Sequence, residues 1–400
     1  MTKIRVLLFL LTLLVVGTVA TFIGFYARGY RFDFEEFRFA PNGILIVKSN
    51  PDGAQLFING ELETATNATV RLSPGTYDVS VRKDGFMPWE KRLVVEKEVV
   101  TEAEAQLFRV VPSLSAVTFS GVVSPTPSRD QSKIAYTVPF DNGNSAGLWV
   151  METVDLPLGF SRDPRRVTDG DLTNATWQWS PDGRQILLET TTGVYLLDAG
   201  SFTPQNQRVN VASRKDTIFE EWQEEEGQRL TAKVRSLPEP LKDLLTREAS
   251  AVVFSPDENR ILYTASDSAT LEPELIRPVP GASSQKQVRD IKPGNTYVYN
   301  IKEDRNFLID TEGETLTIGG GSSKNGERRL SWFPTSNHLV YAEKDRIIVL
   351  DMDGTNRQVV YSGSYNSPSA FPTLTVDRLL ILTNLGANSS LPNLYSLSIK

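Results

Sequence analysis

From Val6 to Ala27 the chain carries no charge and consists mostly of Leu, Val, Phe, Ile and Thr. That pattern predicts one helix, and at ~1.5 Å per residue it reaches roughly 33 Å, enough to cross a hydrocarbon core of ~30 Å. The pattern then changes period. Between Gly43 and Phe108, short apolar segments such as Ile44–Val47, Gln55–Ile58, Val70–Leu72 and Leu93–Val95 are separated by turn signals. Tyr77, Val79 and Val81 alternate with Asp78, Ser80 and Arg82, the period of a strand with one buried face. Asn50-Pro51-Asp52-Gly53, Ser73-Pro74-Gly75 and Lys83-Asp84-Gly85 are turn sequences, and Asn59-Gly60 is a strong hairpin signal. About seven short strands without a helix predict a small β-sandwich.

From residue 111 one phrase recurs in degraded form. It reads Trp179-Ser180-Pro181-Asp182-Gly183 before Ile186-Leu187-Leu188, and Phe254-Ser255-Pro256-Asp257-Glu258 before Ile261-Leu262-Tyr263. A weaker copy is Trp332-Phe333-Pro334-Thr335 before Leu339-Val340-Tyr341, with further copies over 128–136 and 371–382. A second apolar strand follows each copy, as in Val194–Asp198 or Ile347–Asp351. Such units cannot bury both faces alone and must stack around a ring. Five repeats are clear and a sixth is allowed. The segment Ala116–Phe119 is the expected strand that closes the ring against the last repeat.

Two segments interrupt the repeats. In 213–249, Thr217-Ile218-Phe219-Glu220 has the form of a capping box. Phe219, Trp222, Leu230, Val234 and Leu237 then fall on one helical face, Pro238 and Pro240 break it, and Leu241, Leu244 and Leu245 predict a second helix. The expected arrangement lays this insertion on the flank of the ring, with a partner-docking hairpin as the alternative. The stretch 266–295 is rich in Pro, Ser and Gly and reads as a long loop.

Two resemblances follow from these residues. Ser49-Asn50-Pro51-Asp52-Gly53-Ala54, Phe57-Ile58-Asn59-Gly60, Leu72–Tyr77 and Lys83-Asp84-Gly85-Phe86 resemble the PEGA domain family in order and spacing. One departure is that Thr66 precedes Asn67 where the family usually has Thr-Pro. The recurring phrase is similar to TolB-like propeller repeats, relatives of the WD-repeat propellers. The fold class expected is all-β: an N-terminal transmembrane helix, a PEGA-like β-sandwich, then a five- or six-bladed β-propeller with a helical insertion. The PEGA resemblance implies a surface or cell-wall-proximal module and brings no catalytic residues.

Domain by domain, the expectation is a cytoplasmic tail (1–5), a transmembrane helix (6–27), a juxtamembrane linker (28–41), the sandwich (42–110) and the propeller (111–400). Thr18 and Ala20 fit the cleavage site of a removable signal peptide. The apolar run continues through Phe22, Ile23, Phe25 and Tyr26, which favours a retained anchor. Lys3 and Arg5 before the helix nearly balance Arg28 and Arg31 after it, and Asp33, Glu35 and Glu36 follow. Orientation is therefore taken from the architecture: N-terminus cytoplasmic, sandwich and propeller outside, in the cell membrane.

Composition narrows the chemistry. Charged residues make up 23%, with 42 Lys+Arg against 49 Asp+Glu and a net charge of −7. No long basic run is present, which argues against a nucleic-acid partner. The chain has no cysteine and one histidine, His338, so disulfides, thiol catalysis and multi-imidazole metal sites are excluded.

Several motifs bear on possible chemistry. Gly143-Asn144-Ser145-Ala146-Gly147 has the spacing of a nucleophile elbow, but it joins two strands where a helix is needed. Glu220, Glu221, Glu224, Glu225 and Glu226 read as a solvated helix face. Asp351-Met352-Asp353-Gly354 matches part of a calcium loop and equally an ordinary hairpin. Gly319-Gly320-Gly321-Ser322-Ser323-Lys324 lacks phosphate-loop spacing and reads as a flexible loop. Trp177, Trp179 and Trp332 are assigned to packing, as is Trp89, the best candidate for an exposed aromatic. Asn67, Asn174 and Asn388 open Asn-x-Ser/Thr triplets read as chance. No catalytic, cofactor or metal residue is assigned. The expectation is a membrane-anchored binding or scaffold protein whose propeller recognises a protein or cell-wall polymer. The alternatives are a hydrolase or lyase with funnel carboxylates, and a structural envelope stalk.

Overall fold

The computed structural model describes residues 2–27, 30–33, 38–154, 163–277, 279–321, 327–387 and 391–400. The expectations placed on Arg28, Glu35, Glu36, Ser322, Ser323, Lys324 and Asn388 lie outside the described residues. The chain divides into two compact units, one of Met1–Leu107 with Pro278–Gln285, the other of Phe108–Arg277 with Lys286–Lys400.

In the first unit, α1 spans Thr2–Ala27. Within it Ile4–Gly24 is long and apolar enough to cross a membrane, with a mean hydropathy of 2.7. The large apolar side chains from Ile4 to Ile23 are all at least half exposed. Within the expected linker, Tyr30–Asp33 pairs antiparallel with Arg38–Pro41.

The sandwich follows the predicted alternation. One sheet holds Ala68–Leu72, Gly43–Asn50 and Val100–Gln106, and the other holds Glu61–Ala65, Gln55–Ile58, Gly75–Arg82 and Trp89–Val95. Leu45, Val47, Leu56, Val79, Val81 and Leu93 meet in its core. Asn59 and Gly60 both take positive φ, 51° and 86°, the conformation of a two-residue hairpin turn. Trp89 is 2% exposed and belongs to this core. Asn67 answers the departure from Thr-Pro by accepting a hydrogen bond from the Ser49 amide at 2.9 Å.

The second unit contains five repeat sheets among the described residues. The first is Val123–Pro127, Lys133–Val138, Gly147–Glu152 and Arg165–Thr168; the second is Thr176–Trp179, Gln185–Thr190 and Gly193–Asp198. The third is Ala249–Phe254, Arg260–Ala265, Thr296–Asn300 and Arg305–Asp310. The fourth adds Leu316–Ile318 in parallel to Arg328–Trp332, then His338–Ala342, Arg346–Asp351 and Gln358–Ser362. The fifth is Ala370–Pro372, Arg378–Thr383, Asn393–Ser398 and, from the start of the unit, Ser113–Ala116. The closing strand thus exists but lies earlier than Ala116–Phe119, and Phe119 is 82% exposed.

Apolar clusters join neighbouring sheets. Ala135, Leu148 and Val150 of the first pack with Trp177, Ile186 and Leu188 of the second. Ile134 and Tyr136 of the first meet Phe371, Leu380 and Leu382 of the fifth. Leu262, Val298 and Phe307 of the third meet Leu330, Leu339 and Tyr341 of the fourth. The fourth and fifth are joined by the Arg329 guanidinium over the Phe371 ring, 5.6 Å from its centroid.

The second and third sheets are bridged by the insertion. Helix α2 spans Lys215–Val234 and α3 spans Glu239–Arg247. Ile218 of α2 is buried against Leu187 and Val194 of the second sheet. Val234, Leu237, Leu241, Leu244 and Leu245 are buried against Ile261, Tyr263 and Tyr297 of the third. A helix with apolar ends and a polar middle is suited to spanning two packed bodies. The capping box does not form: α2 begins at Lys215 after a turn of 3₁₀ helix, which puts Thr217 inside it. The 266–295 loop holds a short ladder, Ala269–Thr270 with Asp290–Ile291.

Candidate functional site

The recurring phrase is a hairpin with its own hydrogen-bond logic. In three copies the serine hydroxyl donates to an aspartate two residues on: Ser128 to Asp130, Ser180 to Asp182 and Ser255 to Asp257, each at 2.6 Å. Each aspartate also accepts a backbone amide, from Ser132, Arg184 and Asn259 respectively. The serine oxygen accepts the amide that opens the next strand, at Lys133, Gln185 and Arg260. Burial would raise these carboxyls, but the hydrogen bonds hold all three below the ordinary value. Asp257 sits at about 2.

The same hairpins fix one position per sheet at a common centre. Ser128, Ser180, Ser255 and Phe333 close them with an amide bonded to a carbonyl five residues on, and Thr373 does so through its hydroxyl to Arg378 O. The residues that follow are Arg129, Pro181, Pro256, Pro334 and Leu374, one from each of the five sheets. All five line a single cavity of about 310 Å³. Phe254 and Trp332 form part of its wall, and Glu226, Arg229, Leu230 and Lys233 of α2 run along its mouth.

Charge at this mouth is paired. Arg129 bonds Glu226. Arg229 Nη2 lies 2.7 Å from Glu225 Oε1, and its Nη1 donates to Pro181 O at 3.1 Å. Lys233 Nζ lies 2.7 Å from Glu258 Oε1 and 5.2 Å from the Phe254 ring centroid. Glu220, Glu221 and Glu224 are exposed as expected, whereas Glu225 and Glu226 are half-buried and engaged. A solvated face describes only part of that cluster.

A second cavity, also of about 310 Å³, opens among Val123, Ser124, Asn366, Ser369 and Arg329. Arg329 is 2% exposed and donates to Gly319 O at 2.7 Å and Gly321 O at 2.8 Å. Burial pulls its guanidinium down to about 10. The glycine run is therefore docked at its described end rather than flexible. A Cβ on Gly320 would lie 2.3 Å from Ser128 O, so only glycine permits that approach.

The other sequence candidates resolve into structure. Ser145 ends a 3₁₀ turn over Phe140–Ser145, and its carbonyl accepts the Trp149 indole at 2.8 Å. His338 is committed elsewhere, with Nδ1 2.8 Å from Thr335 Oγ1, Nε2 3.5 Å from Asp351 and its ring edge-on to Phe108 and Phe333. Asp351–Gly354 forms the turn before Gln358–Ser362, with Gly354 N on Asp351 O at 2.9 Å. Trp177 and Trp332 are buried, and Trp179 is half-buried. No group of three or more potential metal-binding side chains occurs among the described residues. The sequence reading missed Arg129, Arg229 and Lys233. The available signal was Arg129 itself, a cation at the repeat position where other copies carry proline.

Residues 42–110 match the PEGA domain family. No curated protein matches the chain. Among solved structures, TolB from Acinetobacter baumannii is 12% identical at a TM-score of 0.21, covering 80% of this chain and 60% of its own. A quinonprotein alcohol dehydrogenase-like protein from Bacteroides thetaiotaomicron is 11% identical at 0.22, covering 92% and 98%. The β-propeller domain of Cps50 (Swd1) from Myceliophteria thermophila is 9% identical at 0.29, covering 72% and 100%. The N-terminal module is thus a PEGA domain, and the structural neighbours of the chain include β-propeller proteins.

Proposed function

We propose that this chain is a membrane-anchored, extracytoplasmic binding or scaffold protein whose propeller cavity is its recognition site. The observation that carries this reading is the convergence of five equivalent repeat positions, Arg129, Pro181, Pro256, Pro334 and Leu374, on one cavity. Ligand pockets are concave sites that combine apolar walls with convergent polar groups, and this cavity sets Phe254, Trp332 and its prolines beside six charged side chains. The exposed apolar helix supports anchoring, and the PEGA domain supports a surface location. Asp130 is poorly suited to act as a general acid. A general acid needs a raised carboxyl pKa, and Asp130 at this cavity is held low by its serine partners despite burial.

The test is site-specific photocrosslinking of the full-length chain in native membranes. A photoreactive residue at Pro334 should yield a discrete adduct that the same probe at Val359, exposed on an outer strand, does not. Adducts only at Val359, or equally at both, would overturn the reading.

A further inference from the structure

The second cavity takes its wall from the opening ends of the strands that the first cavity meets at their closing ends. Val123 begins the first strand of the first sheet, Arg329 is the second residue of Arg328–Trp332, and Ser369 directly precedes Ala370–Pro372. Arg129, Pro334 and Leu374 of the first cavity each follow the far end of the same three strands. The chemistry of the two linings differs. The first sets three cations against three carboxylates, whereas among the described residues Arg329 is the one charged side chain lining the second. Its guanidinium is held by Gly319 O and Gly321 O and by the Phe371 ring, 5.6 Å from the centroid. Glu327, the acid whose charge bears on it, lies outside the lining, and its carboxylate accepts from Thr317 at 3.3 Å. Ser124, Asn366 and Ser369 add two hydroxyls and an amide to the same wall, and Val123, Leu382 and Pro392 give it apolar surface.

We infer that this second cavity binds a carboxylate carried on a small apolar body, with Arg329 as the charge it meets. At 2% exposure the guanidinium is screened far less than a surface cation, so its pull on an anion inside the cavity is correspondingly stronger. One guanidinium matches one negative charge, which suits a carboxylate better than a phosphate near −2. Tying down Gly319 and Gly321 accounts for the two hydrogen bonds of Arg329, but not for a cavity of about 310 Å³ with further donors beside it. That volume is at the small end for ligand pockets and fits a short acid or the last residue or two of a peptide. A free acid and a peptide C-terminus share this chemistry.

The experiment is equilibrium dialysis of the full-length chain in detergent against radiolabelled hexanoate, with hexanamide as the neutral control and empty micelles as the blank. Hexanoate should bind saturably and hexanamide should not. Competition by acetyl-Ala-Ala-Leu with a free C-terminus, but not by its amide, assigns the site to peptide ends; competition by neither assigns it to free acids. Arg329→Met should weaken hexanoate binding about tenfold or more, as expected for a lost charge-assisted contact. Should that variant fail to fold, Asn366→Asp decides. Asn366 is exposed, and the near-isosteric change adds a carboxylate to the lining without removing Arg329. It should weaken hexanoate about tenfold while leaving thermal unfolding unchanged. Hexanamide bound as well as hexanoate, no saturable uptake by about 10 mM, equal competition by the amidated peptide, stronger displacement by inorganic phosphate, or unchanged affinity in Asn366→Asp would each overturn the inference. None of these outcomes touches the reading of the first cavity, because the two linings share no residue.

Discussion

The indole Nε1 of Trp332, in the fourth sheet, donates to the carbonyl of Val253, in the third, at 3.1 Å. Trp179 of the second sheet makes the equivalent bond to Thr126 O of the first at 3.0 Å. The tryptophan of the repeat phrase is therefore a strut between sheets as well as core. Trp332→Phe keeps the ring but removes the donor, and an acceptor left without its partner costs about 1–3 kcal/mol. Denaturant unfolding should show a loss of that size for Trp332→Phe and a smaller one for the less buried Trp179→Phe. Equal stability to the parent would show that the strut contributes nothing.

The Ser-x-Asp hairpins make stability depend on acid pH. Asp257 is shifted from 3.8 to about 2, so between those values the folded chain binds fewer protons there than the unfolded one. Its contribution is complete above roughly pH 4 and is lost as pH falls through about 2. Asp257→Asn should lower stability at neutral pH and flatten the acid limb of the unfolding profile. A variant whose profile stays parallel to the parent's down to pH ~2 would contradict the assignment.

These hairpins also show why so much of the fold was legible. Ser-Pro-Asp-Gly and Asn-Gly encode local geometry in local residues, and period-2 alternation marked the sandwich faces. The closing strand was misplaced because Ser113–Ala116 is only weakly apolar, while the more apolar Val117 and Phe119 lie beyond it. The capping box failed because Thr217 sits within the first turn of a helix whose start is set by the preceding 3₁₀ turn. The cavity was illegible for a different reason. A glutamate on a polar helix looks solvated until tertiary structure brings Arg129, 97 residues away, against Glu226.

Anchoring and orientation make a separate prediction. If α1 is retained in the bilayer with a cytoplasmic N-terminus, protease added to intact spheroplasts should digest both soluble units. In inverted vesicles the same units should be protected. The reverse pattern would invert the topology, and release of the soluble units without protease would indicate cleavage near Ala20.

The insertion supplies the last prediction, because its two roles give opposite results. As an appended docking hairpin, it would tolerate truncation of its apolar face with little change in stability. Leu244 of α3, however, is 1% exposed and lies in one cluster with Ile261, Tyr263 and Tyr297 of the third sheet. Burial that complete makes α3 part of the sheet's core, and a Leu→Ala change there costs about 2–5 kcal/mol. Leu244→Ala should destabilise by that amount, whereas Glu221→Ala, on the exposed side of α2, should leave stability within about 0.5 kcal/mol. Since α2 joins the second sheet at Ile218 and the third at Val234, Leu244→Ala should also loosen the ring at that junction. Hydrogen exchange in Gln185–Thr190 and Arg260–Ala265 reads this directly. Faster exchange in both strands fits a helix that bridges them, and faster exchange in Arg260–Ala265 alone would confine the insertion to the third sheet.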